Sequence, residues 1–460
     1  MLEREFALDV SRLVWRSWSR RLATGIDRVC RAYLEYFGDR SQAVVQYRGV
    51  ARFLSAGHSD ALFKILLDDD DDGENFRRRL LALAPKALSD SQSVLNCDGA
   101  YYINVGHTDI DLDRSMRWID TCGLRSIYLI HDLIPLTHSE FCNPSSIVRH
   151  RGRVTNALNH AAGIITNSNA SARDLERFAV AEGLRLPPVI PVWLGGARIE
   201  KPDALPFAAH SYFVCVGTIE ARKNHYLLLQ IWRRLVERLG AAAPRLVIIG
   251  QKGAQASHVE NMIERCTAIQ DHVITLPYCS DEELGRWIGA ARALLMPSFA
   301  EGFGLPIIEA LQIGTPVIAS DLPCFREIGA GIPTLLDPLD AMAWEQTITG
   351  FLDNGPDRSR QYRLLRDYRA PTWTDHFARV EAWLETLPRH DAGRGLPSLA
   401  AAGPNGRNFR KPPDDRRAAM SPLHLFTQAN SEPAKIERSR VRLDQQWIET
   451  RAQAAWSLGS

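Results

Sequence analysis

Glu301 and Glu309 bracket the stretch EGFGLPIIEAL, which also holds Gly302, Gly304 and Pro306. A plain connection needs neither carboxylate, so the spacing invites a chemical reading. Gly302 and Gly304 let the backbone come close to a ligand and offer it N–H groups. Pro306 suits the first position of a helix and Gly314 the residue past its end. Such a helix turns its positive end toward the glycines, which makes a natural seat for a phosphate or diphosphate. Glu301, before the loop, can accept hydrogen bonds from a polyol. Glu309, about one turn into the helix, can accept them from a ribose diol. A second cluster, TIEARKN at 218–224, adds the fork of Arg222 and the point charge of Lys223, both suited to a diphosphate. Each feature also has a plain reading: acids favour first helical turns, and basic loops are commonly just solvated.

The elements around these residues place them. From 211 onward, short apolar runs at 212–217, 245–250, 272–277, 293–297 and 315–320 alternate with helical patterns. One pattern has apolar residues at 228, 231, 232, 235, 236 and 239 and stops at Gly240. A helix is expected near 257–269. Ser280 and Glu283 form a capping box that opens another to about 291. This alternation predicts βαβ units and a parallel, doubly wound α/β sheet. The EGFG loop follows the strand ALLMP, so it lies at the carboxyl end of that sheet, where ligands of open α/β sheets bind. Before 200 the theme repeats less cleanly, with strands expected at 126–133, 163–168 and 188–195 and helices near 146–161 and 170–180. The segment 196–210, with Pro202 and Pro206, reads as a linker. The tail 389–460 is rich in Gly, Pro, Arg and Ala and reads as disordered, apart from a short helix near 442–456.

Bulk properties narrow the field. The chain has 460 residues and a net charge of +1, which predicts two domains and no nucleic-acid partner. No apolar run reaches the ~18 residues that span a bilayer. The N-terminus MLEREFALDV lacks the pattern of a secretory signal. The eight cysteines show no metal-ligand spacing, and Cys97, Cys215 and Cys324 lie in or beside apolar runs, as reduced thiols of a cytoplasmic protein do. The aspartate run 68–72 reads as a solvated loop and not as a metal site. The segment RLVWRSWSRR at 12–21 has two readings: its Trp side chains pack in the core while the arginines face water, or the whole segment touches anionic lipid headgroups.

Several motifs together resemble a known family. GTIEARKN at 217–224, FAEGFGLPIIEALQIGTPVIASDLPCFREI at 299–328, IHDL at 130–133, ITNS at 165–168 and TWTDHFARVEAWL at 372–384 resemble the retaining GT-B glycosyltransferases, in the group that holds sucrose and bacterial mannosyl transferases. The paired-glutamate signature of that family matches at Glu301 and Glu309. The resemblance implies two Rossmann-like domains facing across a cleft: an acceptor-side domain at 1–200, a nucleotide-sugar domain at 201–373, and a helix at 374–388 returning to the first. It implies that Glu309 binds the ribose, and that Glu301 with Gly302, Phe303, Gly304 and Leu305 holds the donor sugar and its phosphate. Arg222 and Lys223, beside Thr218, would bind the diphosphate and stabilise it as it leaves. His131 would contact the donor sugar near the reacting carbon, with Asp132 beside it, and Gly25 in the 24–26 loop would lie under the phosphates. One departure stands out: many members carry an arginine where this chain has Gly217 and Thr218.

The activity implied is retaining transfer of a hexose from a nucleotide-diphosphate sugar, GDP-mannose before UDP-sugars, to a glycan or lipid-linked saccharide of surface polysaccharide synthesis. In similar enzymes the departing phosphate takes the acceptor proton, so neither a metal nor a cofactor is expected. The expected location is cytoplasmic, or peripheral at the cytoplasmic face of the membrane. The rivals are a sugar-nucleotide epimerase on the same fold and a non-catalytic nucleotide-sugar-binding protein.

Overall fold

The structure, a computed structural model, describes residues 2–20, 22–68, 74–97, 99–197 and 211–388. Most of the aspartate run, most of the expected linker and the 389–460 tail lie outside these residues.

The first sheet contains β1 (Phe6–Asp9), β2 (Ser41–Tyr47), β3 (Val50–Phe53), β4 (Tyr101–Asn104), β5 (Arg125–Ile130), β6 (Gly163–Thr166) and β7 (Val189–Pro191), in the order β3-β2-β1-β4-β5-β6-β7. Only β3 runs antiparallel to its neighbour. The second sheet contains β8 (Tyr212–Val216), β9 (Arg245–Ile249), β10 (Val273–Leu276), β11 (Leu294–Met296), β12 (Val317–Ser320) and β13 (Thr334–Leu336), all parallel, in the order β10-β9-β8-β11-β12-β13. Its central strands read as unbroken apolar runs because helices cover both faces; β11 and β12 are buried throughout. Such sheets put every βα loop at one edge, so the chemistry-bearing loops of each sheet gather at its carboxyl end.

Several expectations need adjusting. The helix after β9 spans Ser257–Arg265 and gives way to a short 3-10 turn, Thr267–Ile269. The strand expected at 188–195 shortens to β7. The helix after the EGFG loop begins at Leu305, so Pro306 holds its second position, where the absent N–H still costs nothing. The capping box forms fully: the Ser280 hydroxyl accepts from the Glu283 amide at 3.2 Å, and the Ser280 amide donates to the Glu283 carboxylate at 2.8 Å. All eight cysteines are free.

The two sheets are tied by specific contacts. Helix Trp373–Thr386 lies on the domain of the first sheet: Phe377 stacks on Tyr36 with centroids 4.1 Å apart, and the Tyr33 hydroxyl bonds to His376 Nε2 at 2.9 Å. Glu327, on the short helix Pro323–Ile328, receives the backbone and side-chain amides of Asn169 at 2.8 Å each, the Ala170 amide at 3.3 Å and the Trp193 indole at 2.6 Å. A carboxylate of one domain therefore caps the first turn of helix Asn169–Glu182 in the other.

Helix Ser11–Trp18 carries most of segment 12–21. Trp15 donates its indole N–H to the Gln46 carbonyl at 2.9 Å, and Trp18 lies under the Arg77 guanidinium, 5.4 Å from its ring. Both rings pack against the core. Arg12 and Arg16 reach Asp27 at 2.6 and 3.2 Å. No helix among the described residues is long and apolar enough to cross a membrane.

Candidate active site

The turn after β8 carries the 3-10 segment Ala221–Lys223, and the loop after β11 carries Glu301. Both leave the carboxyl ends of adjacent strands, so their charges meet. Glu301 accepts Lys223 Nζ on Oε1 at 2.5 Å and Arg222 Nη1 on Oε2 at 2.8 Å. The Ser298 hydroxyl adds a bond at 2.7 Å. Burial alone would raise the carboxyl's pKa, but the two cations outweigh it and hold Glu301 at about 2. Arg222 also bonds Glu220 Oε1 and the Ala300 carbonyl, each at 2.5 Å. Its guanidinium is thus fixed in place and stays charged, its pKa raised by Glu301 and Glu220 against the cost of burial. Gly217, at φ +143°, passes so close to the Lys223 side chain that a Cβ there would lie 3.3 Å from Cε. Thr218 turns its methyl toward Gly253, where a Cβ would lie 2.5 Å from it.

Glu309 is 1% exposed. Its Oε1 accepts Arg28 Nη1 at 2.9 Å, from helix Gly25–Phe37 of the other domain. Arg28 also pairs with Asp281. Glu309 Oε2 has no hydrogen bond of good geometry among the described residues. Burial raises the Glu309 pKa, opposed by Arg28 and by the nearby Ala197 backbone. Oε2 can accept a further hydrogen bond.

The first sheet contributes from β5. His131 follows it directly, buried, with Nε2 at 2.9 Å from the Val105 carbonyl. A carbonyl only accepts, so Nε2 carries the proton and Nδ1 keeps its lone pair. Burial lowers the His131 pKa to about 4, so the ring is neutral at physiological pH. His107 and His150 spend their Nε2 atoms in the same way, on the Leu129 and Asp132 carbonyls. Asp132 Oδ1 accepts the Ile134 amide at 3.0 Å.

The EGFG loop meets this strand end directly. A Cβ on Gly302 would lie 2.4 Å from the His131 carbonyl oxygen and 2.8 Å from the Asp132 Cβ. The absence of a side chain at Gly302 therefore lets the loop approach the other domain's backbone. The Ser168 hydroxyl donates to the Gly302 carbonyl at 2.9 Å. Gly304 sits at φ +120°, with Phe325 where a Cβ would point; Phe303 is buried. Gly25 opens its helix behind the Thr24–Asp27 capping box, 3.5 Å from Leu305 as judged from its own would-be Cβ.

The structure therefore gathers Arg222, Lys223 and Glu301 in one cluster, and His131, Asp132 and Gly302 in another. It sets Glu309 against Arg28, and Gly25 against Leu305. Sequence reasoning missed Arg28 and Glu327, whose partners lie in the other domain and leave no local signal. It also missed His107, which follows the buried strand β4 much as His131 follows β5; that placement was available as a signal.

Residues 198–364 match the family Glycosyl transferases group 1. The chain is similar to the O-antigen chain mannosyltransferase B of Escherichia coli, 30% identical over 48% of this chain and 59% of that protein. It is also similar to the serotype-specific mannosyltransferase WbdA of Escherichia coli, 29% identical over 48% of this chain and 28% of that one. The chain thus spans less than two thirds of the length of these relatives. Among solved structures, Anabaena Alr3699/HepE in complex with UDP superposes with a TM-score of 0.56 at 14% identity, over 83% of this chain and 99% of that one.

Proposed function

We infer, from the GT-B fold and the match of residues 198–364 to the group 1 glycosyl transferases, a retaining hexosyl transfer from a nucleotide-diphosphate sugar to a saccharide acceptor. The observation that carries this reading is the convergence of Lys223 and Arg222 on Glu301, facing His131 and Asp132 of the other sheet across Gly302. A leaving diphosphate gains charge as its bond to the sugar breaks. Two preorganised cations and a helix N-terminus stabilise that charge most in the transition state. Glu301 holds both cations in position and keeps them from repelling one another. Neutral His131 offers an acceptor at Nδ1 to a sugar hydroxyl. Glu309 and Arg28 frame the ribose. No residue of the cluster acts as a covalent nucleophile in this reading; the departing phosphate takes the acceptor proton, and no metal takes part.

The relatives' names favour a mannosyl donor, so GDP-mannose is assigned first. The acceptor assigned is a glycan or lipid-linked saccharide of surface polysaccharide synthesis. Thermal-shift screening of nucleotide sugars, followed by NMR of the product's anomeric configuration, tests the reading. Stabilisation by GDP-mannose and a product that keeps the donor's configuration are expected. An inverted product would remove the retaining mechanism. Conversion of donor to a different sugar without any acceptor would mean an epimerase.

A further inference from the structure

The domain of the first sheet holds a cavity of about 580 Å³ whose lining includes Arg12, Arg16, Arg48, Arg149 and Arg153. None of the residues given a donor role lines it. Three carboxylates answer five guanidinium groups. Asp27 takes Arg12 and Arg16, Asp111 lies 3.4 Å from Arg153, and Asp109 spends Oδ2 on the Gly49 amide at 2.6 Å. Two positive charges remain. The exposed Arg48 and Arg149 form no ion pair among the described residues, although Arg48 lies over the Tyr47 ring. Burial lowers the Arg153 pKa, Asp111 opposes this, and repulsion from Arg149 and Arg12 adds to the lowering.

The backbone is shaped for this crowding. His107 and Asp109 line the cavity at positive φ, 61° and 52°, whereas Arg48, at 51°, takes its positive φ from the two-residue turn Arg48–Gly49 that joins β2 to β3. Such conformations cost energy in residues other than glycine and collect at functional sites. Gly106 lets Arg12 lie flat, since a Cβ there would be 2.7 Å from the Arg12 Cβ. The cavity also adjoins the reaction centre: His107 belongs to its wall, and its ring centroid lies 5.0 Å from that of His131.

We propose that this cavity is the anion subsite of the acceptor, and that it takes a phosphate or diphosphate group which the acceptor carries. Arg48 and Arg149 would meet that group from the solvent side, Arg12 and Arg153 from within. A surplus of two positive charges matches a phosphate dianion better than a single carboxylate, and planar guanidinium forks suit phosphate oxygens in pairs. The word acceptor rests on the glycosyltransferase reading; the anion site itself does not.

The test titrates inorganic pyrophosphate into the full chain by calorimetry and compares Arg48→Ala/Arg149→Ala with Lys223→Ala. Two binding events are expected in the wild type, one at each site. The double arginine variant should weaken one event by about ten-fold or more per arginine, because a charge-assisted hydrogen bond is lost each time. Lys223→Ala should weaken the other. Thermal unfolding confirms that each variant is folded. Flotation with phosphatidylcholine vesicles, with and without phosphatidic acid, identifies the source. Binding to phosphatidic acid that the double variant loses assigns a lipid-borne phosphate; pyrophosphate binding without flotation assigns a water-soluble one. Either result supports the proposal. Pyrophosphate binding that the double variant leaves unchanged would overturn it, as would equally tight binding of glucuronate at the same site. If no nucleotide sugar binds while the arginine-dependent event persists, the transferase reading fails and the anion site stands.

Discussion

Replacing Lys223 by alanine separates a catalytic role from a structural one. Lys223 Nζ is one of two cations on a buried carboxylate, and Glu301 keeps Arg222 at 2.8 Å and Ser298 at 2.7 Å after the change. The carboxylate is therefore not stranded. The stability loss should be about 1.5–3 kcal/mol, the worth of one charged hydrogen bond, and should stay below the ~3–5 kcal/mol of a buried pair broken outright. The Glu301 pKa should rise from about 2 toward the ordinary carboxylate range as one of its two cations goes. The effect on turnover should be larger. A cation aimed at a leaving diphosphate acts mainly in the transition state, so kcat should fall about 100- to 1000-fold, or ~2.7–4 kcal/mol. Lys223→Arg should recover only part, because a planar fork replaces a compact charge. The assay pairs steady-state kinetics on the donor found by screening with urea unfolding of each variant. A raised KM with unchanged kcat would make Lys223 a ground-state binding residue only. A stability loss as large as that of Glu301→Ala, with kcat intact in the folded fraction, would make it purely structural.

Glu309→Ala should weaken binding of the preferred nucleoside diphosphate by about 1.5–3 kcal/mol; unchanged affinity in calorimetry would leave Glu309 as the partner of Arg28 and nothing more. Buried His131, His225 and His376 each have a pKa near 4, depressed chiefly by burial. The unfolded chain therefore takes up their protons first as pH falls from about 6.5, so stability is complete above that pH and declines toward pH 4. By pH 5 the loss should be about 2 kcal/mol for each histidine, and equal urea midpoints at pH 7.5 and 5 would contradict it. Activity should persist in EDTA and after replacement of the aspartate run by serine; loss of turnover restored by manganese would sink the metal-free reading.

The second sheet was the more legible in sequence because its strands are short apolar runs, its helices have one apolar face, and its caps are local. The Ser280–Glu283 box needs only residues three apart. In the first sheet the early strands escaped notice for a physical reason. β1 and β2 bury Asp9, Gln42 and Gln46, and Gln46 and the Tyr102 hydroxyl both bond Asp9 at 2.7 and 2.9 Å. A hydrogen-bonded polar network inside a core looks like surface in a one-dimensional pattern. The site divides along the same line. The glutamates, glycines and cations of the second sheet were readable, whereas the engagement of Glu309 by Arg28, 281 positions away, exists only once the domains meet. The proximity of Gly302 to His131 is of the same kind.

The cap that Glu327 places on helix Asn169–Glu182 makes that helix end a reporter of the cleft. The amide protons of Asn169 and Ala170 are protected by a residue of the opposite domain, so they exchange with solvent deuterium only when the domains part. The Ser171 amide, held by Ser168 in its own domain at 3.0 Å, is an internal reference on the same turn. The ratio of the two exchange rates measures how often the cleft opens, with no label attached and no substrate bound.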